Sequence, residues 1–251
     1  MLMEDLKFVC NEPAVLYEGM LIVADLHLGM ERSIFGSAVE MNVFGRTMDR
    51  LLQLVDETNC NELVLLGDVK HDIPNMEFPE REKLGRFLRE LNERVKVSIV
   101  MGNHDGGIRE IAEGIEVHSA AGVRMGGISF NHGHAWPSES MMGADWLVLA
   151  HNHPCVELTD KLGYRSIQRV WVVGKLDAGK VEKKYAGFNS RMKVVVMPAF
   201  SELVGGMVFN AVKKRDLLGP LFRNEMFKLG GAETFLLNGI SLGTINDIKQ
   251  G

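Results

Sequence analysis

Thiols, long apolar runs and surplus positive charge are all scarce in this chain, and each scarcity removes a class of protein. Its three cysteines (Cys10, Cys60, Cys155) lie far apart among 251 residues. No disulfide framework and no paired-thiolate zinc site can be built from them, so reduced core thiols are expected. Apolar stretches such as Leu63–Leu66 are of strand length, too short to span a bilayer. The first residues, Met1–Lys7, carry acids and no apolar h-region. No signal peptide and no stable membrane association are expected, with the cytoplasm as compartment. A formal net charge of −5 argues against gripping nucleic acid by electrostatics alone. The basic clusters Lys183-Lys184 and Lys213–Arg215 read as solvated surface, although bound divalent cations would add charge that this count omits.

What is present is ordinary globular composition, 46% hydrophobic and 24% charged, at a length that fits one large domain or two small ones. Without repeats, low-complexity tracts or a linker, one domain over 1–251 is expected. Residues 201–233 are a candidate cap, or a dimer contact in a homodimer. Short strands are expected at 6–10, 14–17 and 20–24, then a helix over Ser37–Thr58 with Phe44, Met48, Leu51, Leu52 and Val55 on one stripe. Strand 62–66, a Pro-containing loop over 73–79, a helix burying Leu84, Phe87, Leu88 and Leu91, and strand 95–101 follow. This β-α-β-α-β alternation implies parallel strands with right-handed crossovers. Beyond Asp105 the rhythm changes to a helical turn at 108–112 and strands at 115–118, 127–131, 146–150 and 192–197. Hairpins are expected over 155–173 and through Asn238-Gly239, the latter with a type I′ turn. A helix-covered sheet packed on a second, mostly antiparallel one is the expected architecture.

Five strand ends share one design: Asp25-x-His27, Gly67-Asp68, Gly102-Asn103-His104-Asp105, His132, and His151-x-His153. The polar turn beyond the carboxyl end of a strand is where open α/β sheets hold ligands. One such histidine is more often a satisfied polar side chain, but six of the eight histidines (His27, His104, His132, His134, His151 and His153) occupy these turns, and metal binding is the better account. In extended chain, residues i and i+2 point the same way, so each Asp-x-His or His-x-His pair aims two donors at one centre. Mixed carboxylate, imidazole and amide donors suit manganese first, with iron, zinc, cobalt or nickel as alternatives, over the all-oxygen shells of calcium or magnesium. The candidate ligands outnumber the needs of one ion. A two-metal site with a shared carboxylate is the economical arrangement, suited to in-line displacement at phosphorus by a metal-activated hydroxide.

In order, these five motifs resemble those of the calcineurin-like metallophosphoesterases. The resemblance implies a four-layer α/β/β/α sandwich with two central mixed sheets, and a binuclear centre. It implies that Asp68 bridges two divalent transition-metal ions, with Asp25, His27 and His153 completing one site and Asn103, His132 and His151 the other. His104 would donate a proton to the leaving oxygen, oriented by Asp105. The phosphoprotein phosphatases carry an arginine in Gly-Asp-x-x-Asp-Arg; here the segment is Gly67–Ile73 without it, which disfavours phosphoprotein substrates. The first motif, Ala24–Gly29, is similar to that of SbcD-type repair nucleases and of an ICC-like branch of archaeal and bacterial phosphoesterases that includes the ligase-associated PdeM group. Met197–Ser201 adds to the second likeness. The implied activity is hydrolysis of a phosphodiester in a nucleotide or nucleic acid. The alternatives are a nucleotide or lipid-precursor pyrophosphatase, for which Leu217–Phe222 would be a membrane-facing segment, and a non-catalytic interaction module.

Overall fold

The computed structural model describes residues 2–3, 5–36, 42–71, 78–213 and 216–248. The first sheet runs in chain order: Leu2–Met3 (β1), Leu6–Phe8 (β2), Ala14–Tyr17 (β3), Met20–Val23 (β4), Glu62–Leu66 (β5), Lys96–Val100 (β6) and Glu116–His118 (β7). Strands β1 to β4 pair antiparallel, and β4 to β7 pair parallel. Parallel neighbours need long crossovers, and three helices lie in these connections: Met30–Phe35 (α1), Val43–Thr58 (α2) and Phe78–Arg94 (α3). The short α1 was not anticipated. Helix α2 was expected from Ser37; it begins at Val43, where the Asn42 side chain accepts from the Gly45 amide at 3.0 Å. Residues 37–41 of the expected helix, and most of the expected loop at 73–79, lie outside the described residues. Leu51, Leu54 and Val55 of α2 join Leu84, Phe87, Leu88 and Leu91 of α3 in the core against this sheet.

The second sheet holds Val123–Met125 (β8), Ile128–Phe130 (β9), Trp146–Leu149 (β10), Pro154–Thr159 (β11), Arg165–Lys175 (β12), Lys193–Val196 (β13), Met207–Val208 (β14), Glu233–Leu236 (β15) and Ser241–Thr244 (β16). Their order is β14-β11-β12-β13-β10-β9-β8, with β15 on β12 and β16 on β15. It is mostly antiparallel, as expected, but its centre, β9-β10-β13, and the β11–β14 edge pair are parallel. The chain between His132 and His151 does not meander. It passes through a 3-10 turn at Glu139–Gly143 and returns to lay β10 alongside β9 in the same direction. The β15–β16 hairpin is also not type I′. Gly239 has φ +86° and donates to Leu236 O at 2.8 Å, while Asn238 keeps a negative φ. This is a type I turn closed by a left-handed glycine.

The two sheets face one another. Phe8, Ile22, Val64 and Val100 from the first interdigitate with Phe130, Trp146, Val148, Trp171 and Val195 from the second. The edge of Phe8 meets Trp171 at 4.6 Å between ring centroids. On the outer face of the second sheet, Leu217, Leu221, Phe222, Phe227 and Leu229 are buried with Met141, Leu149 and Val196. That places much of the expected cap or dimer-contact region, 201–233, in an outer hydrophobic layer. The layers are those of an α/β/β/α sandwich.

Candidate metal centre

Because β4, β5 and β6 are parallel to one another, and β9 and β10 likewise, their carboxyl ends gather at one edge of the sandwich. The turns that follow carry Asp25 and His27, Asp68, Asn103 to Asp105, His132, and His151 and His153. Their side chains converge. His132 Nε2 lies 2.8 Å and His153 Nε2 3.3 Å from Asp25 Oδ1. Asp68 Oδ2 is 3.6 Å from both His27 Nε2 and His132 Nε2. Three sets of donors result, Asp25/His27/His153, Asp68/His132/His151 and, sharing His27 with the first, His27/His71/His104, each with its ligand atoms within 4.8 Å of one another. The Asn103 side chain is placed differently. It is exposed on its turn and makes no hydrogen bond with the described residues.

The aiming device differs from the extended alternation expected. Asp25 (φ 57°), His27 (46°), Asp68 (48°), His151 (70°) and His153 (42°) are all left-handed. A non-glycine residue there costs about 1–3 kcal/mol and persists only where its surroundings fix it. Here the first turn is laced to the second: Asp25, His27 and Leu28 donate their amides to the carbonyls of Gly67, Asp68 and Val69 at 3.1, 2.8 and 3.0 Å. Two glycines keep the approach open. A Cβ on Gly67 would stand 2.3 Å from the His132 ring, and one on Gly102 would stand 2.1 Å from Asp68 Oδ1.

Asp105 does not reach the His104 ring. It is fully buried and accepts from the amides of Gly102 (2.8 Å), Val69 (2.9 Å) and Lys70 (3.3 Å), clamping the second and third turns together. The His104 ring is held instead through Nδ1 by the carbonyl of His71, which leaves Nε2 3.9 Å from Asp68 Oδ2. The His104 amide in turn fixes Asp68 Oδ1 at 2.9 Å.

Several neighbours lie outside the ligand set expected from the sequence. His71 places Nδ1 3.3 Å from that of His27 and stacks on His104, with centroids 5.4 Å apart. His134 Nδ1 lies 3.0 Å from His132 Nδ1. The Gly205 carbonyl takes His153 Nδ1–H at 3.0 Å, and Asn152 exchanges two hydrogen bonds with Leu218. His71, three residues after Asp68 at the same strand end, carried a signal; the Gly205 carbonyl, far off in sequence, carried none.

The electrostatics are those of a site built for cations. Burial pushes the imidazoles of His27 and His151 down to about 3 and that of His134 to about 4, keeping them neutral. Burial opposes charge on Asp25 as well, but His153 and His132 overcome it and hold this carboxyl below its ordinary range. For His153 the Asp25 charge outweighs burial and lifts the ring to about 9. Burial raises Asp68. His27 Nε2 and His153 Nε2 are buried without a hydrogen-bond partner, both beside carboxylate oxygens. Such an orphaned donor set fits transition-metal cations, and Gly205 fixes the His153 tautomer that leaves Nε2 for a metal.

The calcineurin-like phosphoesterase family model matches residues 20–179, which contain every one of these turns. No curated protein sequence matches the chain. Among solved structures, the chain is similar to the Pseudomonas putida nuclease MPE, at 19% identity and a TM-score of 0.57 over 92% of both chains. The E. coli phosphoesterase Yfce is a more partial likeness, at 19% identity and a TM-score of 0.36 over 56% of this chain and 73% of the other. With a family match over well more than half its length and the donor groups of that chemistry gathered at one edge, the chain belongs to the calcineurin-like phosphoesterases, hydrolases of phosphoester bonds.

Proposed function

We propose that this protein hydrolyses phosphodiester bonds, with a nucleotide or nucleic acid as substrate, at a pair of divalent cations, manganese first among them. The observation that carries the reading is the pair of buried imidazole nitrogens that make no hydrogen bond, His27 Nε2 and His153 Nε2, each facing a carboxylate within adjoining donor sets. In this reading Asp25, His27 and His153 hold one ion, and Asn103, His132 and His151 hold the other. Asp68 would be shared between the two ions, since its Oδ2 faces the ligand nitrogens of both His27 and His132. Bound ions supply Lewis-acid charge to the phosphoryl oxygens and lower the pKa of the attacking water.

The chain's own groups do the rest. With Nδ1–H committed to the His71 carbonyl, His104 keeps Nε2 free of that bond, 3.9 Å from Asp68 Oδ2. Protonated there, it donates to the leaving oxygen. Asp105 holds the turns that carry Asp68 and His104. The nuclease activity of the P. putida relative is consistent with a nucleic-acid substrate.

The pyrophosphatase alternative needs an apolar, membrane-facing cap. Leu217, Leu221 and Phe222, its sequence basis, are buried in the outer core. No helix among the described residues is long and apolar enough to cross a membrane, and a cytoplasmic location accords with this reading. The test is metal-reconstituted turnover of mono-, di- and cyclic phosphoesters and of single- and double-stranded DNA. Diester hydrolysis saturating at two metal equivalents is expected. Protein that retains no transition metal and turns over none of these substrates with manganese would mark it as an interaction module.

A further inference from the structure

Three imidazoles of the centre turn the same nitrogen inward. His27, His132 and His153 all direct Nε2 at the carboxylates of Asp25 or Asp68. A ring nitrogen holds a cation only through its lone pair, so a neutral ring at such a site carries its hydrogen on Nδ1 and needs an acceptor there. For His153 that acceptor is the Gly205 carbonyl, at 3.0 Å. His132 has no carbonyl in that place. Its side chain is fully buried, closed to bulk water, and the acceptor that the described residues offer to its Nδ1 is Nδ1 of His134, 3.0 Å away.

The turn after β9 is built to bring these two rings together. Gly133, between them, has φ +112°, a conformation that side chains rarely adopt, and its amide donates to Asn131 Oδ1 at 2.9 Å. The Ala150 amide donates to His132 O at 3.0 Å, which ties this turn to the one that carries His151. From the outer layer, Gly219 closes on it so tightly that a Cβ there would stand 1.9 Å from Gly133 O. Fixed in this way, the His134 ring lies 5.2 Å from that of His132 and 5.9 Å from that of His151, centroid to centroid. Two ring nitrogens at hydrogen-bond distance must be one donor and one acceptor. With Nε2 of His132 aimed at the carboxylates, His132 is the donor.

We propose that His134 is a positioning residue of the metal centre: its Nδ1 accepts the Nδ1–H of His132 and so commits the Nε2 lone pair of that ring to the cation. The proposal rests on the two-cation reading and deepens it, since it assigns the effect of His134 to the one ion that His132 would hold. The hydrogen of His134 itself then sits on Nε2. A neutral imidazole does here what a carbonyl does for His153, and it adds no further negative charge beside Asp25 and Asp68.

Manganese binding is followed by the EPR signal of the free ion for wild-type protein, His134→Ala and His134→Asn, whose Oδ1 can accept where Nδ1 did. Two equivalents are expected to bind to wild-type protein. His134→Ala should weaken one of them roughly 10- to 100-fold, the range for loss of a ligand's orienting partner, and leave the other close to wild type. His134→Asn should restore the weakened equivalent. Long-range ¹H–¹⁵N spectra of histidine-labelled wild-type protein in EDTA read the tautomer itself, and the hydrogen of His134 is expected on Nε2. Unchanged affinity in His134→Ala, equal weakening of both equivalents, no recovery in His134→Asn, or a hydrogen on His134 Nδ1 would each overturn the proposal. If wild-type protein binds no manganese, the two-cation reading falls, and the tautomer in EDTA then decides the role of His134 toward His132 independently.

Discussion

The His104 imidazole gives its Nδ1–H to the main-chain oxygen of His71, while the carboxylate of Asp105, the next residue, turns the other way to collect three backbone amides. The two residues therefore act on different steps. His104→Asn is expected to lower kcat by about 10²- to 10⁴-fold, the usual worth of a positioned general acid, with metal content near normal. Asp105→Ala leaves three buried amides without an acceptor, each worth about 1–3 kcal/mol. It should lower both the melting temperature and metal content. Metal analysis, thermal melts and kinetics on the same preparations separate the roles. Loss of metal in His104→Asn would remove His104 from proton transfer.

Gly102 is fixed by contact. A methyl group there would overlap both the carboxylate and the amide of Asp68, at 2.1 and 2.2 Å. Gly102→Ala should therefore displace Asp68 and weaken manganese binding roughly 10- to 100-fold, the range seen when a ligand's support is lost. Titration calorimetry would read this directly. Unaltered affinity would mean that Asp68 is not a shared ligand.

In the metal-free protein, protons on imidazole stand in for cations, which gives stability a maximum in pH. His153 is raised to about 9, so the stability it contributes is complete below pH 6.5 and is lost as pH rises through about 9. His27 and His151, held at about 3, and His134, at about 4, act oppositely: stability declines as pH falls below 6.5 toward those values. Melts in EDTA should therefore peak near pH 6.5. Manganese should abolish the alkaline decline, since a cation then replaces the His153 proton. A metal-free melting curve still rising at pH 9 would contradict the His153–Asp25 pairing.

Saturation with metal should itself raise stability, by about 2.7 kcal/mol at a hundred times the dissociation constant. Asp68→Asn should sharply reduce that gain, because Asp68 lies 3.6 Å from the ligand nitrogens of both His27 and His132. Thermal shift against manganese concentration measures it.

The polypeptide by itself determined most of the strands, the two long helices and the five polar turns, because these rest on short-range patterning; Leu2–Met3, Val123–Met125 and Met207–Val208 became strands only through their neighbours. Leu63–Leu66 is apolar on both faces, Leu84, Phe87, Leu88 and Leu91 share one helical stripe, and glycines and ligand-type residues punctuate the strand ends. Only the tertiary structure decided what those turns do to one another. The left-handed φ of Asp25 or His153 is imposed by bonds to distant carbonyls, and no local propensity announces it. That His71 rather than Asp105 holds His104, that β9 and β10 run parallel, and that Phe200 and Ser201 donate to the carbonyls of Ala24 and Asp25 all depend on two sheets packing face to face. Contacts between segments many residues apart become definite only when the shared core closes.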